Sequence, residues 1–534
     1  MNIKPNNAWL FFVLLYACNV QDNSPIFKPA VFHYNQPNLI NSLDPAFAKS
    51  QNNIWAIEHL YNQLVDLDDS MKIIPELATS WEILQNGNLY RFHIRNDVYF
   101  HIDSCFGIPL TRKLIASDVV YSFKRLIDDQ LSAPGSWIFK TKVIADEPFR
   151  SVGDSIFEIH LLSPFAPLLQ LLTSAYCSVY PPEAINIYGN QFSKHPVGTS
   201  AFRLRKWIGR KGLFLERNPA YYAKAPNLDG IRISFMEDRN TAYLEFLKNQ
   251  LDFFSGIHTG FAHQILNSRG YLREDQEGKF QLLKGDYLNT EYIGINTSKL
   301  DPSHPLHMKA FRQALNYAID RKKLVENFRF GIGTPALSGF IPKGLPAYDP
   351  IQNPGYSYDP EKAKQLFAQC GFSDIQNIPE LVISTNKDYV DLMTFIAKQW
   401  QEIGLDVSID LVETASLREQ MRSGDVSIFR ASWIADYPDE ESFMTVFYGP
   451  NTAPPNYTRF NDPLFNKIYE TAISEINPDK RRKYYQQLDA ILIEHAPVIV
   501  LFYDQTAWFA QNHIRNLKTN PLNLLKLNET SETY

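Results

Sequence analysis

The chain has 534 residues, 45% hydrophobic and 13% aromatic, with a formal net charge of −6. Such a length exceeds what one hydrophobic core supports, so two or three domains are expected. Acidic balance without any basic block excludes nucleic acid as the main partner, because neutralising phosphates needs a concentrated basic face.

In chain order, the first signal follows Lys4. The apolar run from Ala8 to Ala17 is too short to span a bilayer and has the length of a signal-peptide core. It ends at Cys18, and Leu15-Tyr16-Ala17-Cys18 resembles the lipobox of bacterial lipoproteins, in which the cysteine becomes lipidated. A plain secretory signal or a buried cysteine is the alternative. No later run reaches about 18 apolar residues, so that lipid would be the only tie to a membrane. Cys105, Cys177 and Cys370 remain: an odd number that forbids a full disulfide framework but leaves room for one Cys105–Cys177 bridge.

Period-two alternation marks strands. Tyr90, Phe92 and Ile94 face one way and Arg91, His93 and Arg95 the other, and the pattern returns at Ile231, Ile233 and Phe235 and at Val407, Ile409 and Leu411. Helices lie between them. Ala310, Phe311, Ala314, Leu315, Ala318 and Ile319 form one apolar stripe. A second helix should run between Asp359, a cap followed by Pro360, and Gly371. Strands and helices mixed throughout mean an α/β architecture, and no Gly/Ser linker divides it.

The search for chemistry returns little. No zinc-protease, nucleophile-elbow or P-loop motif is present, so no catalytic residue and no cofactor is expected. Gly331-Ile332-Gly333-Thr334-Pro335-Ala336 matches a dinucleotide fingerprint, but it follows a helical segment instead of a strand, and Pro335 disrupts the helix start that should hold phosphate. It reads as a turn. His101, Asp103 and Cys105 have no second His/Cys pair nearby to close a metal site, so a loop with a satisfied histidine is expected and no metal.

One stretch is unusual. Ile428 to Glu440 sets Arg430, Trp433 and Asp436 into a strand-like apolar run that Pro438 stops from becoming a helix. A cation, a flat ring and an anion at a strand end could hold a zwitterion, although these residues alone favour an internal ion pair beside a core tryptophan.

Blocks spread over the chain carry a family resemblance. Pro75-Glu76-Leu77-Ala78-Thr79-Ser80-Trp81, Tyr90-Arg91-Phe92-His93-Ile94-Arg95, Ala116-Ser117-Asp118-Val119-Val120-Tyr121, Arg217-Asn218-Pro219-Ala220-Tyr221-Tyr222 and Arg312-Gln313-Ala314-Leu315-Asn316-Tyr317 occur in this order. In that order they resemble the extracytoplasmic solute-binding proteins of peptide-type ABC importers (family 5), above all the oligopeptide-binding proteins. The resemblance implies a two-lobed α/β, type II-like binding protein (class C) with hinge crossings and an extra domain. By it, residues 1–18 are a lipoprotein signal, 19–61, 186–287 and 504–534 form the first lobe, 62–185 an inserted domain and 288–503 the second lobe.

It also implies roles. Asp436 takes a peptide's α-ammonium, Trp433 lines the cleft and Arg430 meets the carboxylate of short peptides. The ligand's main chain pairs with Ala431, Ser432 and Ile434 on one side and Leu39 and Ile40 on the other. Expected partners are short peptides and an ABC permease with its ATPase subunits, reached by a monomer tethered outside the cytoplasm through Cys18. The same fold binding a nickel complex, haem or an oligosaccharide is the alternative, followed by a secreted hydrolase or adhesin.

Overall fold

The computed structural model describes residues 29–257, 259–372 and 378–533. Cys18 and the signal segment lie outside them. Two α/β lobes share one eleven-stranded sheet. Along its path stand Val407–Leu411, Leu381–Thr385, Ile428–Ile434, Phe280–Ile295, Val498–Gln511, Phe253–Ser255, Val31–Asn35, Gly230–Ser234, Gly212–Arg217 and Phe202–Ile208. Thr334–Pro335 pairs with Val498–Gln511 off that path.

Each half of the sheet holds a parallel pair: Val31–Asn35 with Gly230–Ser234 in one, Leu381–Thr385 with Val407–Leu411 in the other. Parallel neighbours need a crossover, and the helix Val390–Glu402 supplies it in the second case. The two halves are joined by a pair of long antiparallel strands, Phe280–Ile295 of 16 residues and Val498–Gln511 of 14. Their pairing breaks midway: Asp286 faces Gln505 and Thr290 faces Tyr503, so Tyr287, Leu288 and Asn289 stand opposite Asp504 alone. Extra residues on one strand bend and twist the ladder, which is what a crossing between two lobes needs.

The core follows the same division. Ile293, Phe311, Ile383 and Trp400 pack on one face of the second lobe's sheet, and Tyr292, Phe429, Phe443 and Tyr485 on the other. Between residues 78 and 160 a separate antiparallel sheet of four strands forms, in the order Ala78–Leu84, Leu89–Ile94, Ile156–His160, Phe149–Val152. Its Phe92 and Phe157, with Phe123 of the helix Ala116–Leu126, join one continuous cluster with Phe32, Tyr34 and Trp55 of the first lobe.

Tyr90, Phe92 and Ile94 are buried within the Leu89–Ile94 strand while Arg91 and His93 are less so. Asp359 caps the helix Pro360–Gln369 through Lys362 N at 2.9 Å, and Gly371 follows at φ 89°. The Ala310 stripe, by contrast, is split: Lys309–Tyr317 ends before Ala318, because Asp320 caps a new helix, Arg321–Phe328, by accepting from Lys323 N at 3.0 Å. Gly331 and Gly333 take positive φ in a turn that leads into Thr334–Pro335, not a helix. His101 is satisfied, with Nε2 3.0 Å from Ser200 O and Nδ1 accepting from Gly198 N. Cys105, Cys177 and Cys370 are free thiols, so the Cys105–Cys177 bridge does not form.

Candidate functional site

The Ile428–Ile434 strand pairs along its whole length with Phe280–Ile295. On its other side Leu381–Thr385 pairs only with Ile428 and Phe429. From Arg430 to Ile434 that edge carries no strand neighbour among the described residues, so main-chain groups there are open to an extended ligand. Beyond the strand, Ala435 N donates to Leu288 O (2.8 Å) and Asp436 N to Ser442 Oγ (3.3 Å). Those bonds fix the backbone that carries the Asp436 carboxylate at the end of the open edge.

Asp436 is exposed to solvent, although protein atoms crowd round its carboxylate. Among the described residues no cation lies within ion-pair distance of it. Loss of hydration pushes its pKa up to about 6, and the charge of Glu441 adds to the shift. Glu441 is itself buried; it accepts hydrogen bonds from the hydroxyls of Tyr437 and Tyr469, and burial raises its pKa. Tyr176, far away in sequence, is raised to about 12 by burial and then by the charge of Asp436.

Trp433 and Arg430 stand three apart on a strand and therefore point to opposite faces. Trp433 joins the cluster of Phe429, Ala431 and Phe443, and its indole Nε1 donates to Ser442 O. Arg430 lies across the sheet from it: its guanidinium pairs with Glu291 and sits 3.1 Å from the ring centre of Tyr389. Glu291 also accepts from Asn289, which reaches Asp504, and Asp504 pairs with Arg329 at 2.6 Å. This polar network occupies the break in the crossing strands. The three residues thus do not form one zwitterion clamp; Arg430 has an internal partner, and a ligand carboxylate would have to compete with Glu291.

Ala431 is buried, Ser432 half-buried and Ile434 exposed along the open edge. Leu39 and Ile40 follow the Val31–Asn35 strand as irregular chain, four strand steps from Ile428–Ile434, with Ile40 in the first lobe's core. Sequence reasoning missed Glu441, Tyr176, Glu291 and Tyr389. The acidic run Asp439-Glu440-Glu441 was a legible signal for the first, whereas the others come from segments that only folding brings near. No group of three or more His, Cys, Asp or Glu among the described residues could hold a metal ion. No helix among them is long and apolar enough to cross a membrane.

Comparison with known proteins agrees with this architecture. The chain is 30% identical over 466 residues to heme-binding protein A of Haemophilus influenzae, covering 83% of this chain and 81% of that one. It is 24% identical over 486 residues to the dipeptide-binding protein of Escherichia coli, covering 87% of each. The solved structure of HbpA2 from Haemophilus parasuis superposes with a TM-score of 0.82 at 23% identity, over 94% of this chain and 100% of that one, a likeness of fold. Residues 72–455 match the family model described as bacterial extracellular solute-binding proteins, family 5 Middle. With that match over most of its length, the chain belongs to the family 5 bacterial extracellular solute-binding proteins.

Proposed function

We propose that this protein is a receptor, anchored by lipid at Cys18, that captures short peptides between its lobes and delivers them to an ABC permease driven by ATPase subunits. In this reading 19–61, 186–287 and 504–534 form one lobe, 288–503 the other, and 62–185 the inserted domain. It works as a monomer and does no chemistry on its cargo. The observation that carries the reading is Asp436: a desolvated carboxylate, without a protein cation among the described residues, at the end of five residues of open strand edge. A peptide's α-ammonium is the natural counterion, and its N–H and C=O groups suit the edge whatever its side chains.

Ala431, Ser432 and Ile434 would pair with the ligand main chain, with Leu39 and Ile40 approaching from the other lobe, and Trp433 would form part of the wall. Asp436→Ala should leave the ammonium buried and unpaired, costing about 2 to 5 kcal/mol of binding. Calorimetry with tri- to pentapeptides tests it; unchanged affinity rejects the role. One observation favours a second cargo: the relative at 30% identity is named a heme-binding protein. Mass spectrometry of what co-purifies with the protein separates the two, because haem and peptide differ in mass and only haem absorbs strongly in the visible.

A further inference from the structure

The outer rim of the first lobe is a two-stranded ribbon, Phe202–Ile208 and Gly212–Arg217, and Phe202–Ile208 ends the path of the shared sheet. From Phe202 to Arg217 the ribbon holds six cations and one carboxylate, Glu216, in a chain whose net charge is −6. In sequence the cations are interleaved with Leu204, Trp207, Leu213 and Leu215, so no basic block is visible. Folding separates the two sets: those four side chains pack on the first lobe's core, and Arg205, Lys206, Arg210 and Lys211 are left exposed. A register shift between Leu204 and Lys206 inserts Arg205 as an extra residue, which lets two consecutive cations both stand toward solvent. Lys206 faces Phe214 and Phe214 faces Arg232 across neighbouring strands, so the exposed Arg232 extends the same face onto a third strand.

Little on the protein neutralises this face. Arg203 pairs with Glu216 at 2.7 Å, and Arg205 reaches the same carboxylate at 3.6 Å. Arg210 meets Glu237 at 3.5 Å with side chains 79% and 74% exposed, a contact that water screens. Lys206, Lys211 and Arg232 have no ion-pair partner among the described residues. The tip is held in shape, because Lys211 N donates to Ile208 O at 2.8 Å and Trp207 Nε1 to Gly209 O at 3.0 Å. Between the cations Ile208 stands 47% exposed. A fixed tip with one apolar side chain among cations complements a bilayer boundary, anionic at its surface and apolar beneath.

The chain enters the fold beside the same ribbon. Ala30 O accepts from Asp229 N at 2.7 Å, and Asp229 pairs with Arg217 at 2.8 Å. The twelve steps of chain from Cys18 to Ala30 span at most about 40 Å, while a strand of this length covers about 20 Å. A lipid on Cys18 would therefore keep the ribbon within reach of the membrane that holds it. That tether and the apolar tip both favour lipid over any other polyanion.

We infer that this ribbon is a membrane-docking surface: Arg205, Lys206, Arg210, Lys211 and Arg232 meet anionic phospholipid headgroups, and Ile208 enters the boundary beneath them. This rests on the lipid-anchored reading above and adds a second contact to the one at Cys18. The anchor sets the distance from the bilayer, and the ribbon turns the first lobe toward it.

The test uses the chain from residue 18 onward with Cys18→Ser, which keeps every described residue but carries no acyl group. Flotation with phosphatidylcholine vesicles, with and without about one-third phosphatidylglycerol, measures partitioning at about 50 and about 300 mM salt. The unsubstituted ribbon should bind only the anionic vesicles and lose about tenfold between the two salts. Arg205→Glu/Lys206→Glu/Arg210→Glu/Lys211→Glu should lower partitioning about a hundredfold and Ile208→Ser about threefold, while Arg205→Lys/Arg210→Lys should keep it. Peptide affinity should stay unchanged in all of them. Should the fourfold variant fail to fold, Arg210→Gln/Lys211→Gln at the exposed tip carries the same arm with a loss of about tenfold. No binding to anionic vesicles, or binding that the charge variants leave intact, overturns the docking surface, as does equal retention on DNA. An uptake defect in the fourfold variant without vesicle binding assigns the ribbon to the permease and overturns it too. Mass spectrometry for acyl groups on Cys18 of the natural chain tests the anchored reading separately: an unacylated cysteine rejects the anchor, and the vesicle result still decides the ribbon.

Discussion

At the scale of single residues, the pKa of Asp436 sets a pH profile. Raised to about 6, the carboxylate carries its charge only above that value, and a bound ammonium favours the charged form, so binding releases a proton at lower pH. The free α-amine loses its charge above roughly 7.7 to 8.0. Affinity should therefore rise through pH 6, level off and fall again above 8; titration calorimetry across this range checks it, and a flat profile would contradict the ion pair. Arg430 calls for a different experiment. Its partner Glu291 is 5% exposed on the side chain and Arg430 itself 10%, so Glu291→Gln should strand a buried guanidinium and cost about 3 to 5 kcal/mol of stability, visible as a lower Tm. The sequence showed that a cation, a ring and an anion share this stretch. It did not show which way each points, because Glu291 lies 139 positions away and its approach depends on the pairing of two strands.

At the scale of elements, the open edge at 430–434 follows from the length of its neighbour: Leu381–Thr385 ends five residues in, after pairing with only Ile428 and Phe429. If the ligand adds to that edge, methylating a peptide nitrogen that faces it removes one hydrogen bond and should weaken binding by about 0.5 to 1.5 kcal/mol, position by position. A scan of singly N-methylated peptides that shows no alternation in affinity would argue against strand addition. Strands and caps were readable beforehand wherever period and punctuation agreed, as at Leu89–Ile94 and Pro360–Gln369. The split after Tyr317 was harder to see, since the apolar stripe continues through Ile319 and only the capping bond of Asp320 reveals the new start.

At the scale of the whole molecule, the lobes meet through two strands whose register breaks at Tyr287–Asn289, opposite Asp504. That is where bending costs least, and ligand addition should lower the radius of gyration in small-angle scattering as the lobes close. Stability should also depend on pH through buried acids. Burial raises Glu58 to about 8, Glu76 to about 7 and Asp489 to about 7. Unfolded, such groups titrate near 4, so the stability they lend is complete below that value and is lost as pH rises through 7 to 8. Tm should fall from pH 5 to pH 8.5. Asp489→Asn, which keeps an acceptor for Phe340 N at 2.6 Å, should make the decline shallower.

By itself the sequence determined the α/β class, the family, most local elements and the stretch around Asp436, because periodicity, capping residues and ordered motifs are all written within short windows. Only the tertiary structure decided that Arg430 turns away to Glu291, that the strand edge beside it lies open, and that Trp137 stacks on the Tyr437 ring next to the acid. Those facts depend on which residues, hundreds of positions apart, share one face of a sheet or one rim of a crevice, and closing such long loops is a choice made by the packing of the entire chain.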